Sequence, residues 1–305
     1  MPKLRKAQMG EIIPGGFVGG TKLFQQRACQ ALPLLVRQAR AAQPIFYSAL
    51  AREMGMPNAR NLNHVLGAIG RELQNLSDRW ERDVPPIQCL VINKSTRMPG
   101  EGIAWFVPDP EDFRKRPPLA QRETINLMLA SVYRFSHWDA VLSEFGLMPA
   151  SPAIASLPGS LPLPRKEWRG SNDGEGEDHR RLKEFVASHP EAIGLTPGLG
   201  IGETEYEFHS ADTIDVIFKA NNQWVGVEVK GTQSDDGDIV RGMFQCVKYN
   251  ALIEAEQKSS QTTVASRVLL VLGRDLPPGL VALQNVLGIE IIPNMQTPTG
   301  PATRA

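Results

Sequence analysis

Apolar residues recur near a helical period over residues 21–42, where Leu23, Ala28, Leu32, Leu35 and Val36 share one face. Pro44 ends this helix. Ser48–Met54 predicts a short second helix, stopped by Gly55. Asn58 then offers an N-cap for a third helix through Leu76, with Leu62, Val65, Leu66, Ile69 and Leu73 on one side. The run Cys89–Asn93 is a short apolar strand. Two short helices around a Gly-containing turn, followed by a strand, predict a helix-turn-helix or winged-helix module. Residues 119–147 add one or two helices ending near Gly146.

Periodicity then stops. Pro149, Pro152, Pro158, Pro162 and Pro164 fall within a stretch otherwise rich in Ser and Gly, so residues 148–173 read as a linker. Beyond it, Asp178–His189 predicts a helix with Leu182, Phe185 and Val186 inward. Glu205–Phe208, Thr213–Lys219 and Gln223–Lys230 are strands, the last two joined by a tight Asn221-Asn222 turn. Ile239–Glu256 is a long amphipathic helix with Val240, Phe244, Val247 and Ala251 as its buried face. Arg267–Leu272 is a strand, apolar after its first residue and suited to a sheet centre, and Ile289–Ile292 is a last short strand. The order αβββαβ over 174–293 predicts a mixed α/β domain behind a mainly helical domain over 21–147. Residues 1–20 read as a flexible arm and 294–305 as a disordered tail.

Composition narrows the function classes. The formal net charge is +0, so attraction to nucleic acid has to come from local basic patches. The 3 cysteines are far apart and form no CxxC pair, which argues against a disulfide framework and a structural zinc site. No apolar run is long enough to span a bilayer, and the basic start lacks the apolar core of a signal peptide. A cytoplasmic protein without membrane contact is the expectation.

The candidate chemistry lies in the strand Gln223–Lys230. Period-two geometry puts Val225, Val227 and Val229 on one face and Glu228 with Lys230 on the other. Burying that pair costs free energy unless it binds something or pairs. Asp215 lies in the preceding strand, across the hairpin. Two convergent carboxylates are a minimal oxygen-ligand set for Mg²⁺, which keeps waters and takes substrate phosphate as well. Lys230 would then position a water or face developing negative charge. Taken alone, a Glu-x-Lys pair on a strand is often only a surface ion pair worth under ~1 kcal/mol.

The pattern of Asp215, hairpin and Glu228-Val229-Lys230 resembles the PD-(D/E)XK nuclease superfamily, with surroundings similar to its Mrr-like and RecB-like branches. The fit covers roughly residues 174–293 and implies a restriction-endonuclease-like αβββαβ core. The usual Pro before the Asp is replaced by Ile214. The resemblance implies an acidic residue at the first helix; Glu175, Glu177 and Asp178 are the candidates, and Glu177 is favoured as a third ligand. Glu177 is equally suited to favouring the helix N-terminus through the macrodipole. Gln245 and Tyr249 match a QxxxY element, which implies contact with substrate or bracing of Lys230. Arg241, on the same stripe, would meet a phosphate. Arg241 as a solvated helix residue and Tyr249 as core are the plainer alternatives. His179 and His209 show no metal-ligand spacing and read as structural. Asp235, Asp236 and Asp238 read as a solvated loop or a second cation site.

Residues 44–103 (PIFYSALAREMGM, then NLNHVLGAIGRELQNL) resemble the helical DNA-binding part of the alkylguanine-DNA alkyltransferase family. The stretch corresponding to that family's reactive motif is PPIQCLVIN. Cys89 is present but no His-Arg follows it, so only the scaffold is carried over and Cys89 reads as a buried, inert thiol. Arg60, Asn61 and Asn63, with Arg52, His64 and Arg71, are candidates for phosphate and base-edge contact, or equally an ordinary solvated helix face. Asn93–Arg97 is the expected wing.

Together these imply a Mg²⁺-dependent DNA endonuclease of restriction type, with Mn²⁺ as a substitute metal and DNA as partner; the resemblance alone implies a role in defence against foreign DNA. Cutting both strands would need two sites, as in a homodimer, whereas a nicking enzyme would need one. A nuclease-like DNA-binding scaffold without activity, or a nuclease acting on RNA or repair intermediates, stand as alternatives.

Overall fold

The computed structural model describes residues 20–151, 176–196, 199–220, 222–262 and 264–297. Most of the expected arm, linker and tail, and Glu175, lie outside the described residues. The chain divides between Ser151 and Pro152 into two compact units.

The first unit is mainly helical: α1 (Leu23–Arg40), α2 (Tyr47–Glu53), α3 (Leu62–Trp80), α4 (Pro110–Lys115), α5 (Pro118–Arg134) and α6 (Trp138–Glu144). Leu32 and Leu35 of α1 and Leu62, Ile69 and Leu73 of α3 form one core with Leu142 of α6. Gly55 takes φ +65° and closes α2, as the sequence predicts. Asn58 does not cap α3. Its Oδ1 accepts the Arg60 N–H at 3.1 Å, so it closes a local turn, and α3 begins only at Leu62. The α4 start, which the periodicity passed over, is set by Asp109, whose carboxylate accepts the Asp112 N–H, with Pro110 at the first helical position.

The strand expected over Cys89–Asn93 is smaller. Ile87–Leu90 forms a 3-10 turn, with the Pro86 carbonyl accepting the Cys89 N–H, and only Val91–Ile92 (β2) is extended. It pairs in parallel with β1 (Ile45–Phe46), whose length is limited because α2 starts at the next residue. The expected wing, residues 93–97, is a tight loop. The Asn93 N–H donates to the Met98 carbonyl, and a single antiparallel bridge joins Ile92 to Pro99.

The second unit runs α7 (Glu177–Ser188), β3 (Glu203–Glu207), β4 (Thr213–Ala220), β5 (Gln223–Lys230), α8 (Asp236–Ser259), β6 (Ala265–Leu272), α9 (Val281–Leu287) and β7 (Glu290–Ile292). It is a mixed α/β unit. The five strands lie in the order β3-β4-β5-β6-β7, antiparallel from β3 to β5 and parallel from β5 to β7. Alternation along the two central strands builds two cores. Val225, Val227, Val229, Leu269 and Val271 pack with Leu182 and Val186 of α7. Val268, Leu270 and Leu272 pack with α8 and α9 on the opposite face. That coverage explains why β6 is apolar and buried from Val268 to Leu272.

The α8 face is the expected one only in part. Val240 is buried, as are Ile239, Met243, Cys246 and Ile253, whereas Phe244 and Val247 are about half exposed and Ala251 is exposed. In α7, Phe185 is only partly buried and stacks on His189, while Lys183 takes the inward position. Asp235 and Asp238 form a reciprocal capping box at the α8 start, and Asp236 lies 3.3 Å from Arg274, so the run opens a helix instead of forming a solvated loop.

Candidate active site

Asp215 stands where the sheet loosens. The β4–β5 register ends at Val216↔Val227, one step short of placing Asp215 opposite Glu228. The β3–β4 register pairs Thr204 with Val216 and Tyr206 with Ile214 and passes over Asp215. Facing it, Glu205 takes φ +54° and turns its carboxylate onto the buried Lys183 ammonium. Freed from the ladder, Asp215 uses its side chain instead: Oδ2 accepts the Val229 N–H at 2.7 Å.

Glu228 is 3% exposed on β5, and Lys230 Nζ donates to its Oε1 at 2.8 Å. Gly242 of α8 makes room for Lys230: a Cβ there would stand 3.0 Å from Lys230 Cε and 2.9 Å from Leu270 Cδ1. Burial and then the Asp215 charge push the Glu228 carboxyl up to about 7, against the opposing pull of Lys230 and His179. This end of the sheet therefore holds a buried carboxyl, Glu228, beside a second carboxylate, Asp215, with the Lys230 ammonium paired to the first.

His179 belongs to this group. Its Nε2 lies 3.4 Å from Asp215 Oδ1, although the sequence reading set it aside as structural. The pairing joins α7 to β4 across 36 residues of chain, a separation at which local spacing carries no signal. Glu177, favoured as the acidic residue of the first helix, is directed elsewhere: its half-exposed carboxylate pairs with Arg180 and Arg181, which hold it below the usual range. The neighbouring Asp178 instead accepts both the N–H and the hydroxyl of Thr232, just past Lys230.

Tyr249 is buried, and its hydroxyl donates to the Thr213 carbonyl at 2.6 Å, so it braces the start of β4. Burial, followed by the charge of Glu228, raises its pKa. Gln245 Nε2 donates to the Tyr249 hydroxyl at 3.4 Å, and its Oε1 is buried without a hydrogen-bond partner among the described residues. Arg241 is exposed and pairs with Asp238 at 2.7 Å.

In the first unit, Arg60, Asn61, Asn63 and His64 are all exposed around the α3 start. Cys89 is fully buried, and burial pushes its thiol up to about 12, which fits an inert core residue. Among the described residues no helix is long and apolar enough to cross a membrane.

The chain matches no protein-family model, and neither a curated protein nor a solved structure matches it significantly.

Proposed function

We propose that this protein is a Mg²⁺-dependent DNA endonuclease of PD-(D/E)XK type, with a restriction-endonuclease-like core in the second unit. The observation that carries this reading is the convergence of Asp215, Glu228 and Lys230 at the point where β4 and β5 stop pairing. The order α7-β3-β4-β5-α8-β6 supports it, since it is the order that the resemblance implies.

The donor set suits a hard cation. Among the described residues no three His, Cys, Asp or Glu side chains gather closely enough to hold a metal unaided. Mg²⁺ does not require that, because it keeps waters and shares substrate oxygens alongside one or two carboxylates. Burial first, and then the Asp215 charge, raises the Glu228 pKa, and a bound cation would relieve the second of these. Asp215 and Glu228 are the residues that would hold it, with the His179 imidazole beside them.

A bound Mg²⁺ would supply Lewis-acid stabilisation and a more acidic water. The chain supplies the rest. Asp215 is fixed by the Val229 N–H and Lys230 by Glu228, so both are oriented before substrate arrives. Lys230 offers a positive charge to the developing phosphorane. Arg241 meets a phosphate by exchanging Asp238 for it, and Gln245 braces Tyr249 through its amide N–H. Arg60, Asn61 and Asn63 contact DNA from the first unit.

The test is incubation of the full chain with duplex DNA, single-stranded DNA and RNA, with Mg²⁺, Mn²⁺ or chelator. Metal-dependent cutting of DNA supports the reading. Cutting confined to RNA overturns the substrate, and DNA binding without cutting under any metal moves the protein to the scaffold class.

A further inference from the structure

The chain leaving Lys230 is fastened from two sides. Asp178 Oδ2 accepts the Thr232 N–H at 2.6 Å and the Thr232 hydroxyl at 2.8 Å. On the other side, Arg274 Nη1 donates to the Ser234 carbonyl at 2.8 Å and Nη2 lies 3.3 Å from Asp236. The Gly273 N–H donates to the Lys230 carbonyl at 2.8 Å. Two glycines permit this closeness. A Cβ at Gly231 would stand 2.7 Å from Asp178 Oδ2, and one at Gly273 would stand 2.8 Å from Thr232 N.

The placement of Asp178 matters for the site. It immediately precedes His179, which reaches Asp215, and it grips the residue two past Lys230. One carboxylate therefore joins the first turn of α7 to the end of β5. Hydrogen bonds to an ionised acceptor are stronger than neutral ones, and this acceptor takes two on the same oxygen. Displacement of a reacting group by about 1 Å is enough to cost about 100-fold in rate.

We propose that Asp178 is a positioning residue, a clamp on Thr232 that sets Lys230 and His179 at their separation, and not a metal ligand. This rests on the nuclease reading. It gives the acidic residue of the first helix a role different from the one expected for Glu177: Asp178 acts through the loop, and the metal-holding carboxylates are Asp215 and Glu228.

The test uses the full chain with Asp178→Ala, Asp178→Asn, Thr232→Val, Thr232→Ser and the Asp178→Ala/Thr232→Val double variant. Three quantities are read: kcat against KM on DNA, the Mg²⁺ concentration for half-maximal rate, and amide hydrogen exchange over residues 229–234. A clamp predicts that Asp178→Ala and Thr232→Val each lower kcat, by about 10–100-fold, with KM and Mg²⁺ requirement unchanged. The double variant should be no worse than Asp178→Ala alone, because Thr232→Val removes one of the two bonds that Asp178→Ala already removes. Thr232→Ser should restore the rate, and Asp178→Ala should speed exchange over 229–234. If Asp178→Ala fails to fold, Thr232→Val carries the test, since it removes only the hydroxyl contact. A raised Mg²⁺ requirement in Asp178→Ala beside wild-type behaviour in Thr232→Val overturns the proposal in favour of a ligand. Wild-type rates in both variants overturn it too. A wild-type chain that cuts nothing overturns the nuclease reading itself and the catalytic role with it; that control separates the two failures.

Discussion

Asp215 accepts the backbone N–H of Val229 through its side chain, at 2.7 Å, in the place where a strand carbonyl would otherwise sit. The contact fixes a carboxylate beside Glu228 by using the sheet's own donor. Its loss affects fold and chemistry differently. Asp215→Ala leaves the Val229 N–H unpaired and should cost about 1–3 kcal/mol in denaturant unfolding. Asp215→Asn keeps an acceptor oxygen and should cost less, yet it removes the charge a cation needs. The expected result is a nearly normal unfolding midpoint with DNA cutting abolished. Equal loss of stability in both variants would count against this role.

Glu228 makes the stability of the second unit depend on pH. Its carboxyl titrates near 4.5 when free and is pushed up to about 7 in the fold. Between those values the folded chain binds the proton more tightly than the unfolded chain. Its contribution is therefore most favourable below about 4.5 and is lost as pH rises to about 7. The difference in unfolding free energy between wild type and Glu228→Gln, measured across this window, should shift against the wild type as pH rises. Mg²⁺ should narrow that difference above pH 7 by binding the wild-type carboxylates. A difference independent of pH would contradict the burial argument.

In the first unit, Arg37 and Glu53 tie α1 to α2 by two contacts, at 2.6 and 2.7 Å, with both side chains 11% exposed. Removing one member of such a pair leaves a poorly solvated charge. Glu53→Ala should therefore destabilise this unit by about 3–5 kcal/mol, read as an earlier unfolding transition. Glu53→Gln should be milder. A loss below about 1 kcal/mol would mean that the pair behaves as a surface one.

The strands that carry the site were legible because period-two alternation is unambiguous: Val225, Val227 and Val229 face one core and leave Glu228 and Lys230 together. Helix α8 was not legible in the same way. It carries apolar residues on two stripes, Phe244 and Val247 on one, Met243 and Cys246 on the other, so periodicity does not choose between them. The choice is made by fit against the sheet, where Gly242 accommodates Lys230 and Leu270. The partners of the acidic residues of α7 were not legible for a related reason. Glu177 and Asp178 are adjacent in sequence but point to different partners, Arg180 and Arg181 for one and Thr232 for the other. Contact across 54 residues of chain leaves no mark in local spacing. His179 reads as structural on the same account, since its partner Asp215 lies 36 residues away, and Asn58 misleads because the residue type that caps helices also closes turns.

The central claim is that Asp215, Glu228 and Lys230 form a metal-dependent nuclease centre. The most direct measurement is conversion of supercoiled plasmid to nicked and linear forms, with Mg²⁺ and with chelator, by wild type, Lys230→Ala and Asp215→Ala at matched folded concentration. The account predicts conversion by wild type only with metal, and a loss of at least about 100-fold in both variants. Conversion that survives chelator, or that persists undiminished in Lys230→Ala, would contradict it.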